Sequence, residues 1–143
     1  MDHHLTGRYR VRAGRWALQE AQKWLPRIRD RAELRRHALK LRFWPENHPE
    51  DDQGIILDLD WSWIKGLPGK RIGELRIHDN IGGCDNMRVI FFVPPAQDNP
   101  KKLSEIWILS VFQKKRDDFT VPQINNFVSR RTIIIERFYG KAC

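Results

Sequence analysis

Residues 73–113 read GELRIHDNIGGCDNMRVIFFVPPAQDNPKKLSEIWILSVFQ, and their pattern of apolar, polar and turn-forming residues is the most informative in the chain about the fold. Residues 73–78 alternate apolar and polar side chains, and residues 79–86 are rich in turn formers. Residues 87–93 are a β-branched and aromatic run that ends at two prolines. The combination predicts an antiparallel hairpin.

The residues after the hairpin predict a further strand and a helix. A second turn at 96–102 leads into 106–112, whose continuous apolar run is typical of a central strand buried on both faces. Residues 120–123 (TVPQ) match a capping box with proline at the first helical position, and Gly140 suits the helix end. Between these ends, an apolar face recurs at helical spacing: Ile124, Phe127, Val128, Ile134, Ile135 and Phe138.

The residues before the hairpin favour helix. Residues 15–43 predict two helical pieces, because Pro26 breaks or kinks the pattern. Residues 6–14 alternate and fit a short first strand, and the acidic segment 45–54 predicts an exposed loop. Strand and helix both remain open for the stretch that follows, with helix favoured near 59–67. The sequence therefore predicts an α+β fold.

Length and composition predict one folded domain. The chain has 143 residues, of which 41% are hydrophobic and 31% charged. We expect a single domain over 1–143, with an extended helical portion and acidic loop at 1–53. The sequence contains neither a run of about 20 apolar residues nor the apolar core of a secretory signal, which predicts a cytoplasmic protein without a membrane partner. Cys84 and Cys143 are expected to be free thiols.

The charge distribution indicates a polyanionic partner. The formal net charge is +8 and the isoelectric point about 9.9. The excess positive charge lies in residues 1–44 and 105–143. The N-terminal arginines most simply form the solvent face of helices, with RNA or ribosome contact as the alternative: Arg27, Arg29, Arg31, Arg35 and Arg36.

Four segments in order resemble the RelE/ParE superfamily of toxins: 65–67 (KGL), 73–77 (GELRI), 87–92 (MRVIFF) and 108–115 (ILSVFQKK). The Phe-x-Lys-Lys before a proline-started helix is most similar to phage-derived HigB-like members. The resemblance covers residues 67–131 and rests on the order and spacing of the segments. It implies a RelE-like layout of N-terminal helices, an antiparallel sheet of three to four strands and a C-terminal helix.

The resemblance also implies a function. Such a chain would be the toxin of a type II toxin–antitoxin system, a metal-independent endoribonuclease that cleaves mRNA, in some members at the ribosome, and so inhibits translation. Its partners would be mRNA and a co-encoded antitoxin protein, and it would use no cofactor. A ParE-like inhibitor that binds DNA gyrase is the alternative, because residues 74–76 (ELR) occur in both branches. A degenerate member that only binds a nucleic acid or a protein is a third reading.

Cleaving RNA without a metal requires a base for the 2′-hydroxyl, cations for the phosphorane and an acid for the leaving 5′-oxygen. The predicted strands offer five cationic residues on neighbouring strands: Arg76, Arg88, Lys114, Lys115 and Arg116. By position, Arg88 resembles the family's phosphate-binding arginine, and residues 114–116 resemble its basic cluster. Glu74 stands where ribosome-dependent RelE proteins tend to carry lysine, so the general base stays open among Glu74, Lys114 and His78. Tyr139 resembles a catalytic tyrosine.

Each candidate also has a structural alternative. Arg76 and Arg88 would form cross-strand charge pairs with Glu74 or Asp85, and residues 114–116 would be a solvated strand end. Tyr139 would pack at the end of its helix.

The remaining aromatic residues and histidines are given structural roles. Trp61 and Trp63 could stack on bases, but a core position is favoured. No metal site is expected from the spacing of the histidines: His3, His4, His37 and His48.

Overall fold

The computed structural model describes residues 9–95 and 104–140. The helices are α1 (Arg15–Trp24), α2 (Ile28–Ala38), which continues into a 3₁₀ helix (Leu39–Phe43), and α3 (Val121–Phe138). The strands are β1 (Arg10–Ala13), β2 (Trp61–Trp63), β3 (Ile72–Arg76), β4 (Met87–Phe92) and β5 (Glu105–Gln113). They form one sheet in the order β1-β5-β4-β3-β2, so the described residues have an α+β fold. The turn predicted at 96–102, His3, His4 and Cys143 lie outside the described residues.

The antiparallel run predicted from residues 73–113 is confirmed. β3 and β4 form the hairpin, and Arg76 lies opposite Arg88 in its register. β5 pairs antiparallel with β4, and all of its residues except Gln113 are buried. The two helical pieces around Pro26 are also confirmed, with α1 ending at Trp24 and α2 beginning at Ile28.

The helix favoured near residues 59–67 is wrong, because this stretch forms β2. Trp61 pairs with Leu75 and Trp63 with Gly73 across the antiparallel edge of β3. Alternate residues of a strand share one face, so both indole rings pack on Trp44, with centroids 5.2 and 5.6 Å from its ring. A helix would direct two residues at this spacing to different faces.

The sheet also differs from the predicted three to four antiparallel strands. It has five strands and is mixed, because β1 pairs parallel with β5, with Arg10 opposite Glu105. The first strand predicted within residues 6–14 is confirmed at Arg10–Ala13. Its partner lies far along the chain, and alternation within one strand contains no information about the direction of such a pairing.

Helices cover both faces of the sheet and bury two clusters of apolar side chains. α1 and α2 pack on the cluster that contains Leu34, Leu75 and Phe91, and α3 packs on the cluster that contains Ile90 and Phe127. Glu20 of α1 joins the layers at the β-bulge. Its Oε1 accepts hydrogen bonds from Ser110 Oγ (2.8 Å), the Val111 backbone N–H (3.2 Å) and Arg130 Nη1 of α3 (3.0 Å).

The capping box predicted for α3 is confirmed, and Pro122 is the second residue of the helix rather than the first. Thr120 and Gln123 exchange the two hydrogen bonds of a capping box, and Pro122 lies in the first turn. Neither α3 nor any other helix within residues 9–95 and 104–140 is long and apolar enough to cross a membrane.

Candidate active site

A buried carboxylate on β3 gathers three cations at one end of the sheet. The Glu74 side chain is 7% exposed, and its Oε2 lies 3.1 Å from Arg88 Nε and 3.5 Å from Lys114 Nζ. Its Oε1 lies 3.3 Å from Arg76 Nη2. A carboxylate at this depth is costly unless cations and hydrogen-bond donors surround it. The structure therefore brings Glu74, Arg76, Arg88 and Lys114 into one charged cluster. Arg88 pairs with Glu74 across two strands, as the structural alternative expected, whereas Arg76 pairs with Glu74 along β3.

The strand register explains this meeting. Residues directly opposite each other on antiparallel strands share a face, and Arg88 lies opposite Arg76 on β3 and opposite Phe112 on β5. Glu74 is two residues before Arg76 and shares that face. Lys114 directly follows β5, where its backbone N–H donates to the Asn86 carbonyl (2.9 Å). Three neighbouring strands thus contribute to the cluster.

The cations of the cluster are held in place. The side chains of Arg88 and Lys114 are 14% and 17% exposed. The ammonium of Lys114 also lies 4.4 Å from the centroid of the Phe119 ring, a cation–π distance. Both heads already have partners within the chain, so binding an anion would cost less side-chain entropy than binding by exposed side chains.

An open cleft of about 520 Å³ adjoins the cluster. Lys115 and Arg116 are exposed at its wall and form no ion pair within the part of the chain that the structure describes. Exposed cations of this kind can bind phosphate oxygens, while the fixed Arg88 forms part of the lining. The cleft is lined by Asp85, Asn86, Arg88, Gln113, Lys114, Lys115, Arg116 and Asp117.

A carboxylate–imidazole pair lies on the other side of Arg76. Asp60 Oδ1 accepts from Arg76 Nη1 (3.2 Å), and Asp60 Oδ2 lies 2.7 Å from His78 Nε2. Arg76 Nη2 donates to Ser62 Oγ (2.7 Å). The His78 side chain is 63% exposed, and its Nδ1 has no hydrogen bond to any residue that the structure describes. A carboxylate thus orients one ring nitrogen and leaves the other available for proton transfer.

A smaller pocket of about 190 Å³ adjoins His78. Burial lowers the pKa of His37 below its ordinary value, and Lys40 and Arg36 lower it further, against Asp79 and Glu33, which raise it. Burial and Arg36 also lower the pKa of Lys40. The pocket is lined by His37, Lys40, Asp58, Leu75, Arg76, Ile77, His78 and Asp79.

The structure does not bring Tyr139 to this end of the sheet. Its hydroxyl is buried, accepts from Trp107 Nε1 (2.7 Å) and donates to Glu105 Oε1 (2.9 Å). Burial and the nearby Glu105 raise the pKa of Tyr139 well above its ordinary range. Glu105 begins β5 and Lys114 follows its end, and a rise of about 3.3 Å per residue separates the two ends by about 26 Å.

Sequence reasoning missed Asp60 and Ser62, which hold Arg76 and His78. Their signal was the alternation of polar residues with Trp61 and Trp63, which the preference for a helix at this stretch obscured. Trp61 packs against the core, whereas Trp63 is 41% exposed. The core position favoured for both tryptophans is therefore found for Trp61 only.

The N-terminal arginines are mostly on the solvent face of α2. Arg31 is the partly buried one, and its Nη1 donates to the carbonyls of Leu25 (2.9 Å) and Pro26 (2.8 Å) between α1 and α2. Exposed members are Arg27, Arg29, Arg35 and Arg36.

No protein-family model, curated protein or solved structure matches this chain.

Proposed function

We propose that this chain is a RelE/ParE-type toxin that cleaves RNA at the cleft beside Arg88 without using a metal in the reaction. The observation that carries the proposal is the Glu74 cluster. One buried carboxylate fixes Arg76, Arg88 and Lys114 next to a cleft with the exposed cations Lys115 and Arg116. Paired and exposed cations together suit a phosphodiester whose negative charge increases in the transition state.

The general base is His78 rather than Glu74 or Lys114. Both Glu74 oxygens face cations, and Lys114 is held against that carboxylate and the Phe119 ring. His78 is exposed, and Asp60 orients its ring. Arg76 and Arg88 lie directly opposite each other, and their Cα atoms are about 5 Å apart. His78 lies two residues, or about 7 Å, beyond Arg76 along the chain.

The reaction follows from these positions. His78 takes the proton of the 2′-hydroxyl, the 2′-oxygen bonds to phosphorus and the bond to the 5′-oxygen breaks. Arg88 and Arg76 stabilise the phosphorane charge, and a lysine ammonium of the cleft protonates the leaving 5′-oxygen. The products are a 2′,3′-cyclic phosphate and a 5′-hydroxyl.

The fold is compatible with this proposal in its coarse features. Helices precede the three antiparallel strands β3 to β5, and a helix follows them. The sheet also contains β1 and β2, and β1 pairs in parallel, so it differs from the three to four antiparallel strands that the resemblance implies. The proposal includes a cytoplasmic location, inhibition of translation and a co-encoded antitoxin.

The direct test is RNA cleavage by the purified chain, with the products analysed for cyclic phosphate. We expect cleavage by the wild type, loss of about 10²-fold or more in Arg88→Ala, and unchanged cleavage in Arg29→Ala, whose arginine is exposed on α2. A Lys115→Ala/Arg116→Ala variant, altered only at exposed positions, should bind RNA more weakly and with a lower salt dependence.

Two outcomes would reject the proposal. Intact RNA together with inhibited DNA supercoiling would favour the ParE-like alternative. An Arg88→Ala chain that cleaves as fast as the wild type would reject the assignment of the site.

A further inference from the structure

Three potential metal ligands meet between α2 and the turn that connects β3 to β4. Glu33 and His37 are one helical turn apart on α2, and Asp79 comes from the turn. One ligand atom from each residue lies within 4.8 Å of the others. Sequence spacing could not reveal this group, because Asp79 joins it only through the fold.

The histidine of this group has an unsatisfied ring nitrogen. The His37 side chain is 8% exposed, and its Nε2 is buried without a hydrogen-bond partner. Asp79 Oδ2 is 3.2 Å away, close enough for an ion pair but without hydrogen-bond geometry. Buried polar nitrogens are almost always satisfied, so an Nε2 without a hydrogen bond, beside Asp79 and in one group with Glu33, indicates a ligand.

We propose that Glu33, His37 and Asp79 bind one divalent cation of the zinc type. Imidazole nitrogen with carboxylate oxygens is a ligand set that zinc accepts at about 2.0 Å from each atom. A tetrahedral site with such bonds has ligand atoms about 3.3 Å apart, close to the 3.2 Å between His37 Nε2 and Asp79 Oδ2. Glu33 and Asp79 are 38% and 62% exposed and can rotate to close the remaining gap.

Two neighbouring cations oppose the metal and give the proposal a specific consequence. Lys40 Nζ lies 3.2 Å from His37 Nδ1, on the far side of the ring. A metal on Nε2 leaves the proton on Nδ1, so Lys40 must move away. Arg36 must likewise release Glu33, from which it is 3.6 Å away at the exposed surface. Removing the positive charge of Lys40 should therefore tighten metal binding.

The bound cation would link the turn between β3 and β4 to α2. The turn already packs closely there, since a Cβ added at Gly82 would lie 2.6 Å from Asp30 Oδ2. A metal that binds only the folded chain raises its stability by mass action. This inference does not rest on the proposed RNA cleavage.

The test titrates Zn²⁺, and Co²⁺ as a spectroscopic probe, into the full chain after treatment with a chelator. We expect one site, visible Co²⁺ absorption and a higher midpoint of thermal unfolding. His37→Gln and Asp79→Asn should each weaken binding by about tenfold or more, whereas Lys40→Gln should strengthen it. Asp79→Asn changes an exposed side chain, so circular dichroism should show an intact fold.

Controls exclude other sites. His3 and His4 are adjacent in the sequence, so a His3→Ala/His4→Ala chain must keep the binding. His48→Gln should also bind like the wild type. A folded wild type that binds no Zn²⁺, or a His37→Gln chain that binds it as tightly as the wild type, would overturn the proposal.

Discussion

Glu74 and Arg88 form a diagonal ion pair across β3 and β4, with Glu74 Oε2 3.1 Å from Arg88 Nε. The residue directly opposite Glu74 is Ile90, and Arg88 faces Arg76. The carboxylate therefore lies between two arginines that would otherwise repel each other across the hairpin. Because Lys114 joins the same oxygen, Glu74 is best described as the residue that positions the cations.

Glu74→Gln should destabilise the chain and disorder the cleft. The amide cannot balance three positive charges, and these are only partly screened by solvent because their side chains are 14% to 31% exposed. We expect the free energy of unfolding in urea to fall by about 2 kcal/mol. Asp118→Asn, at an exposed carboxylate, should change it by less than about 0.5 kcal/mol. A Glu74→Gln chain as stable as the wild type would mean that the cluster is not held by this charge.

His78→Gln should reduce RNA cleavage with little change in RNA binding. Glutamine keeps a polar group near Asp60 but cannot take up a proton, so we expect the rate constant to fall by about 10² to 10⁴-fold. Asp60→Asn should reduce it less, through loss of ring orientation. Added imidazole should partly restore His78→Ala, and His48→Gln should cleave normally. If His78→Gln cleaves RNA as fast as the wild type does, another residue is the general base, and the rest of the proposed reaction still stands.

The sequence was most informative where local pattern and tertiary pairing agree. The hairpin, the buried β5 and the capped α3 follow from alternation, apolar runs and capping residues within short segments. The parallel pairing of β1 with β5 depends on residues far apart, and β2 was obscured because Trp61 and Trp63 suit a strand and a helix alike. At the candidate active site, the charged residues of the hairpin and of the end of β5 were identified from their positions in the sequence. Asp60 was missed because the preference for a helix obscured β2. Asp79 was missed because only the fold brings it to His37.

Tyr139→Phe should lower stability and leave RNA cleavage unchanged. Loss of the hydroxyl leaves Trp107 Nε1 without its acceptor and removes a donor from the buried Glu105. Glu105 retains Arg12 Nη1 at 3.3 Å, which moderates the loss to about 1 to 2 kcal/mol in urea unfolding. Tyr9→Phe is the matched control, since its hydroxyl forms no hydrogen bond within the described residues. Normal stability with impaired cleavage would instead make Tyr139 part of the reaction.

His37 should make the metal-free chain less stable in mild acid. Burial is the largest cause that lowers the pKa of His37 below its ordinary value of 6.5. Below pH 6.5 the unfolded chain therefore binds more protons at His37 than the folded chain does. The neutral His37 ring therefore makes its full contribution to the free energy of unfolding above pH 6.5. This contribution falls as the pH decreases through the pKa of the folded chain and is constant below it. The total loss is about 1.4 kcal/mol for each unit by which the folded and unfolded pKa values differ.

Urea unfolding with a chelator present, compared at about pH 7.5 and about pH 5.5, measures this effect. The wild type should lose more stability over this range than His37→Gln, whose side chain has no proton to gain. His48→Gln, changed at an exposed histidine, should follow the wild type. Equal pH dependence in the wild type and His37→Gln would show that the buried ring contributes nothing to acid sensitivity. Because the comparison is made without metal, it measures the cost of charging His37 itself.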